Sequence, residues 1–456
     1  MRTNSKAGNG RELALIVLTK IDQERAYSNI QLNQAIMQSN LSAQEISLAT
    51  ELVYGTLQRR ATLDWVISKL VQVDKKLEDW VRNLIRLSLY QLLFLERIPS
   101  HAIVNEAVEL AKKHGHKGIS GFVNGVLRNA IRNRNTLLDF SELPASERLA
   151  VESSHPEWFV VKMQSLFGAE QAQELCYANL ERPFAVVRTN FLKVTREELM
   201  ISLQAELGED AIITESPVSK AGIRIIGSGN LTTTNLYKKG YFSIQDDSSM
   251  LVAEFVAPEP GMTVLDATAA PGGKSLYLAE LMQNHGRIIA VDQHAHRVKL
   301  ITEQAERLGI DIIESHVSDT NDLRNNFEPI FDRILLDAPC SGLGVLRRKP
   351  ELKWRMTEAE ILKLADIQLN LLKNLAPLLK NDGVFVYSTC TLAEEENQAV
   401  IRAFLAENAD YQLGKQSLDL LGATVTKKAL IEPGMLQILP HYFDSDGFFI
   451  SRMVKS

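Results

Sequence analysis

Cysteine is scarce in this chain: only Cys176, Cys340 and Cys390 occur in 456 residues. Three scattered thiols cannot build a disulfide framework and match no zinc-ligand spacing, so no metal is expected. Free thiols persist in a reducing cytoplasm, which is the expected location. A run of about 18 apolar residues is also missing, which excludes a recognisable membrane-spanning helix and a membrane partner. The opening MRTNSKAGNGRE is polar and lacks the apolar stretch of a signal peptide. Repeats and low-complexity tracts are absent as well. Excess positive charge is the last absence: the formal net charge is -6, which taken whole speaks against nucleic-acid binding. Taken in parts it does not. Residues 1–145 carry 19 Lys and Arg against 14 Asp and Glu, and the remainder 31 against 42. A mildly basic first third beside an acidic remainder favours phosphate contact on the former.

What is present is the composition of an ordinary globular protein, 45% hydrophobic and 23% charged, at a length that predicts two or three domains. Residues 1–140 read as an all-α domain: Ala14, Val17, Leu18 and Ile21 recur at helical spacing, as do Val123, Val126, Leu127 and Ala130. Ser100 stands where a helix N-cap would fall. Residues 150–237 read as a small α+β domain, with EWFVVKMQSLF and EQAQELCYANL helical and FAVVRTN and IRIIG as strands. Thr195 and Glu198 form a capping-box signature. Residues 238–456 alternate strand and helix through TVLDAT, RIIAVD, FDRILLDAP and GVFVYST. That alternation predicts a Rossmann-like α/β domain, whose parallel sheet binds ligands beyond the carboxyl ends of its strands.

The first of those strands runs into Thr268-Ala269-Ala270-Pro271-Gly272-Gly273-Lys274 and a helix. Paired glycines let the backbone turn sharply and approach a ligand. A phosphate-binding P-loop would need glycine at Thr268, and a nicotinamide fingerprint would need G-x-G-x-x-G; neither is present. Asp292 ends the second strand about 20 residues on, where an acid meets ribose hydroxyls. Asp319 follows the third strand and could bond an adenine amino group. Ribose and adenine without a diphosphate cradle point to S-adenosylmethionine as cofactor. Asp337 and Cys340 follow the fourth strand and Cys390 the fifth, so both thiols reach one pocket. Cys176, inside a helix, reads as a small buried hydrophobe.

AAPGGK, DAPCSGLG and STCT, in that order, resemble the motifs of the RNA cytosine-5 methyltransferase (NOL1/NOP2/Sun) family, and the closing DGFFISR is similar too. The amino-terminal third resembles the NusB-like RNA-binding domain in ELVYGTLQRR, AIVNEAVELAKKHG and GFVNGVLRN, and SHPEW fits the middle region of the bacterial small-subunit ribosomal RNA enzymes of the family. The resemblance implies S-adenosylmethionine-dependent methylation of cytosine carbon 5, with Cys390 as nucleophile at carbon 6, Cys340 assisting release, and Asp337 at N3 and near the methionine end of the cofactor. It implies small-subunit (16S) ribosomal RNA as partner; a monomer is the default expectation for the working unit. Thr268 departs from the pattern, since many relatives carry cysteine there. A transfer RNA substrate, or a non-catalytic ribosome-assembly role, are the other readings. Because a stacked base cannot lie between a thiol and a sulfonium, the target must be single-stranded or flipped out. Arg347, Arg348, Lys349, Lys353 and Arg355 around Trp354 read as phosphate contacts with a stacking ring. Arg59, Arg60, Arg128, Arg132 and Arg134 are comparable candidates on the amino-terminal domain.

Overall fold

A computed structural model describes residues 7–24, 26–72, 76–414 and 423–456. They divide into two compact units: one runs to Glu181 and includes Leu346–Arg355, and the other holds Arg182–Val345 and Met356–Ser456. Among the described residues no helix is long and apolar enough to cross a membrane.

The first unit is helical throughout, as its 3.6-residue periodicity requires. Its centre is the helix Asp79–Phe94, in which Trp80, Val81, Leu84, Ile85, Leu87, Leu89 and Leu92 are all buried. A helix apolar on nearly every side needs neighbours all round, and Gly10–Glu24, Ala43–Gln58, Arg60–Leu70, Ser100–His114 and Lys117–Arg132 supply them. The central helix also buries Arg86, held by Asp64 at 2.7 Å and Asp22 at 3.5 Å. Pro99, not Ser100, is the N-cap residue of Ser100–His114: the helix begins one residue early and makes no side-chain cap bond. Helices Glu157–Phe167 and Ala169–Ala178, read above with the middle piece, lie in this first unit.

The second unit contains two sheets. Strands β1 (Ala185–Thr189), β2 (Ile212–Glu215), β3 (Gly222–Ile226) and β4 (Phe242–Ile244) form an antiparallel sheet in the order β2-β3-β1-β4. The helix Arg196–Leu207 belongs to this layer, and the capping box at Thr195 and Glu198 is present. The last of its strands falls beyond residue 237, where the sequence reading ended the middle domain.

The larger sheet contains β5 (Thr263–Asp266), β6 (Arg287–Asp292), β7 (Ile313–Val317), β8 (Phe331–Asp337), β9 (Leu379–Thr389), β10 (Tyr411–Leu413), β11 (Leu430–Glu432), β12 (Met435–Ile438) and β13 (Phe448–Lys455). Five strands are parallel in the order β9-β8-β5-β6-β7, and β13 continues the sheet antiparallel to β9, with β12 and β10 on either part of its other edge. Strand order reverses between β5 and β8. Loops leaving those two strands part to opposite faces and open a crevice, which is where such sheets bind ligands.

The two sheets are locked by buried ion pairs. Arg188 of β1, fully buried, meets Glu280 at 2.7 Å and donates to the Gly273 carbonyl at 2.7 Å and to Gln245. The small domain therefore braces the helix Gly273–Leu281 that follows the glycine loop. Arg224 of β3 bonds Asp247 at 2.6 Å in the same way.

Candidate active site

The loop after β5 is built for close approach. Gly272 adopts φ +103°, a left-handed conformation that other residues resist, and a Cβ there would press on Ile301 at 3.3 Å. The Ala270–Pro271 peptide is cis. Ala269 N–H donates to the Val291 carbonyl at 2.8 Å, and Thr320 Oγ1 to the Ala267 carbonyl at 2.7 Å, which ties the loop to the ends of β6 and β7. Asp292 and Asp319 are thereby carried to the same side of the sheet as Gly272 and Gly273.

Each of these acids also has a local structural partner. Asp292 accepts from His294 N–H on Oδ1 at 2.9 Å, with Arg297 3.9 Å from Oδ2. Asp319 accepts from Asn321 backbone and side chain, both at 2.9 Å and both on Oδ1. One carboxylate oxygen of each, Oδ1, shapes its turn.

Across the crevice stands Asp337 at the end of β8. Lys274 Nζ bonds its Oδ2 at 2.7 Å, Ser388 Oγ donates to its Oδ1 at 2.7 Å, and Thr268 Oγ1 donates to its carbonyl at 2.9 Å. Burial alone would pull the Lys274 ammonium down, but Asp337, its hydrogen bond, Asp266 and Cys390 together raise it above the ordinary lysine value. Asp266, fully buried behind the loop, is pushed up to about 6, chiefly by burial and further by Asp337, against the pull of Ser275 at 2.6 Å. Its Oδ1 is buried without a hydrogen-bond partner.

The two thiols meet. Cys340 Sγ and Cys390 Sγ are 3.3 Å apart, on loops leaving the neighbouring strands β8 and β9. Gly344 N–H donates to the Cys390 carbonyl at 2.9 Å, and a Cβ on Gly344 would collide with the Gly447 carbonyl, so glycine is required there. The Cys340 thiol is pushed well above the usual range, first by its hydrogen bond to Cys390, then by burial and by the charges of Cys390, Glu396 and Asp337. It is therefore the partner that keeps its proton. Cys176 lies apart, buried in the first unit, where burial pushes its thiol up to about 12.

Residues that sequence reasoning missed hold this site together: Asp266, Ser275, Ser388, Ser341, Gln368, Thr391 and Glu396. Ser388 had a visible signal, since it stands two residues before Cys390 in the same strand-end motif. Glu396 had none, for it lies in the run EEE, which reads as a solvated charged turn.

The basic cluster after Cys340 needs correction. Lys353 is 1% exposed, and its Nζ donates to the Gln58 and Ser154 carbonyls at 3.2 and 3.1 Å, within the first unit. Trp354 Nε1 donates to the Leu57 carbonyl at 3.2 Å, and Arg355 to the Ala26 carbonyl. Arg347 is buried. Lys353 is therefore a packing residue that satisfies backbone carbonyls, not a phosphate contact, while Trp354 and Arg355 are half-buried and spend one donor each on a carbonyl of the same unit. Arg59 and Arg60 are likewise engaged, over the Phe94 ring and on Asp22, whereas Arg128, Arg132 and Arg134 are exposed.

Burial pulls the Lys353 amine down to about 7. The unfolded chain then binds a proton that the folded one has lost, so stability should climb as pH rises from about 7 towards 10.5. Lys353→Met should flatten that climb and leave RNA affinity unchanged. Urea unfolding across the window, with an RNA titration, checks both; equal slopes in the two proteins would place the amine in water.

The second unit is a methyltransferase of the Rossmann-like class. Residues 253–454 match the family described as 16S rRNA methyltransferase RsmB/F, residues 9–132 match the NusB family, and residues 155–232 match the ferredoxin-like domain of RsmF/B-like methyltransferases. The probable ribosomal RNA small subunit methyltransferase B of Bacillus subtilis (strain 168) is 45% identical over 98% of both chains. Its counterpart in Synechocystis sp. is 36% identical, covering 98% of this chain and 100% of the other. The chain belongs to the 16S rRNA methyltransferase RsmB/F family. The crystal structure of PH0851, 24% identical, shares the fold over 98% of this chain and 99% of its own at a TM-score of 0.80. A methyltransferase homolog protein from Pyrococcus horikoshii, 29% identical, aligns over 69% of this chain and 100% of its own at a TM-score of 0.57.

Proposed function

We propose that this protein transfers a methyl group from S-adenosylmethionine to carbon 5 of a cytidine in small-subunit (16S) ribosomal RNA, through a covalent bond between Cys390 and carbon 6. The observation that carries the reading is the pair of thiols 3.3 Å apart beside the Lys274–Asp337 pair. The small-subunit methyltransferase names of the relatives support the RNA substrate.

The crevice fits the cofactor. Thr268, Ala269, Ala270, Pro271, Gly272, Gly273 and Lys274 would line its methionine side, the second oxygens of Asp292 and Asp319 would take ribose and adenine, and Asp337 would serve both cofactor and base. The left-handed turn at Gly272, where a Cβ would press on Ile301, keeps that part of the loop as bare backbone. When bound, the cofactor supplies an electrophilic sulfonium methyl.

Cytosine carbon 5 is too weak a nucleophile to take that methyl unaided. Cys390 as thiolate adds to carbon 6, which makes carbon 5 enamine-like. The Lys274 ammonium favours negative charge on Cys390; as the adduct forms N3 takes up a proton, returned when Cys390 leaves, and Asp337 accepts a hydrogen bond from that N3–H. Once Cys390 is bonded to carbon, its charge no longer faces Cys340. Cys340 can then release its proton to solvent and take the carbon 5 proton, the ring double bond reforms, and Cys390 leaves as thiolate. A methyl group at carbon 5 displaces one hydrogen. RNA labelled with tritium at cytosine carbon 5 should therefore release tritium to water in step with methyl incorporation. Methylation without tritium release would place the methyl elsewhere.

A further inference from the structure

Four residues flank the two thiols, and one turn holds three of them directly and the fourth, Pro339, through Gln368. Ser341 donates from its backbone to Glu396 Oε1 at 2.9 Å and from its hydroxyl to Glu396 Oε2. Its hydroxyl also meets Thr391 Oγ1 at 2.7 Å. Gln368 Nε2 bonds both the Pro339 carbonyl at 2.9 Å and Glu396 Oε1 at 3.0 Å. On the other loop, Thr389 Oγ1 donates to Asn397 Oδ1 at 2.6 Å, and Asn397 Nδ2 to the Thr391 carbonyl at 3.1 Å. Tyr387 hydroxyl fixes the Glu396 carbonyl at 2.6 Å. Pro339 and Ser341 bracket Cys340, and Thr389 and Thr391 bracket Cys390.

A buried carboxylate is an expensive way to join two loops, since a neutral group could accept the same donors without desolvating a charge. Glu396 is fully buried, and burial raises its pKa in spite of Ser341, Gln368 and Thr391. The charges around the thiols are moreover sorted. Carboxylates of Glu396 and Asp337 act on Cys340, the Lys274 ammonium acts on Cys390, and the Tyr387 hydroxyl is a further titratable neighbour of Cys340. We propose that Glu396 is a positioning residue for methyl transfer: it holds the Cys340 loop in register with Cys390, and its charge keeps the shared proton on Cys340.

This inference rests on the roles proposed above for the two thiols. The test uses full-length Glu396→Gln and Ser341→Ala proteins beside wild type. For each, methyl transfer to RNA, cofactor affinity by calorimetry and the pH profile of Cys340 alkylation by iodoacetamide (read by peptide mass) are measured. Glu396→Gln should lower kcat about 10- to 100-fold with KM for RNA nearly unchanged, because misplacement by a fraction of an ångström is enough. Its Cys340 should be alkylated at a pH lower by about one unit, since a repelling charge is gone. Ser341→Ala keeps that charge and the backbone bond but loses the hydroxyl's ties to Glu396 and Thr391, so kcat should fall while the alkylation profile stays. Wild-type kcat in Glu396→Gln overturns the proposal, as does a fall in kcat with an unmoved profile, the mark of a purely structural role. If Glu396→Gln does not fold, Ser341→Ala decides: wild-type kcat there overturns the proposal. Absence of any Cys390–RNA adduct in wild type and Cys340→Ala would sink the thiol roles themselves, whatever Glu396→Gln does.

Discussion

Cys340→Ala protein mixed with unmodified RNA and S-adenosylmethionine should accumulate a covalent protein–RNA species that survives a denaturing gel. Cys390→Ala should form none and should lose methyl transfer by at least about 10³-fold, the scale on which removal of a nucleophile is felt. The asymmetry follows from the pocket. Cys390 is the thiol the Lys274 ammonium attracts, and Cys340 is the thiol held protonated beside it. Without Cys340 the adduct still forms and takes the methyl, but nothing stands within reach to draw the carbon 5 proton. An adduct from Cys390→Ala and none from Cys340→Ala would exchange the two roles.

Asp337→Asn should be nearly as damaging, and for two separable reasons. The carboxylate meant for the base is lost, which should lower kcat/KM about 10²- to 10³-fold. Lys274 is also left without its nearest counter-ion, in a site where its side chain is only 12% exposed. Stranding a buried charge typically costs 3–5 kcal/mol; with Asp337 itself 29% exposed, about 2–3 kcal/mol is expected here at neutral pH. The pH dependence identifies the cause. In wild type the Lys274 value lies above the ordinary 10.5, so the pair stabilises the fold below that pH and fades only as pH rises through the higher folded value. In the variant burial dominates, the folded value drops below the unfolded one, and stability rises with pH instead. Urea unfolding at about pH 7 and about pH 9.5 should show the gap between the proteins narrowing. A constant gap would mean that Lys274 is not the group left stranded.

The parallel strands were legible because both their faces are covered. β5, β6 and β8 are short Val-, Ile- and Leu-rich runs closed by Asp, and the buried part of β9, GVFVYST, follows a turn-forming Asn-Asp-Gly, patterns with few other readings. The site followed from them, since Gly272, Asp337, Cys340 and Cys390 all stand at strand ends. The antiparallel strands β10, β11 and β12 went unread: each has three or four residues, too few for a period to show. Helices Glu157–Phe167 and Ala169–Ala178 were recognised as helices, and the ferredoxin-like family match takes them in, but their packing with the first unit was not legible, because an apolar stripe does not name what it packs against. The same limit explains Lys353 and Trp354. Charge pattern reveals a cation and conceals the backbone carbonyls waiting for it. Glu396 is the opposite case, an acid in an acidic run whose importance lies in donors supplied by residues 28 to 55 positions away.

Leu346–Arg355 belongs by packing to the helical first unit, though the chain on both sides of it belongs to the second. No single cut in the gene separates the two units cleanly. A fragment starting at Arg182 would carry ten residues whose buried Lys353 and Leu352 have lost their partners, and the fragment ending at Glu181 would lack them. Such a protein resists recombination. Its two units cannot be swapped one at a time between relatives, and must be inherited, or lost, together.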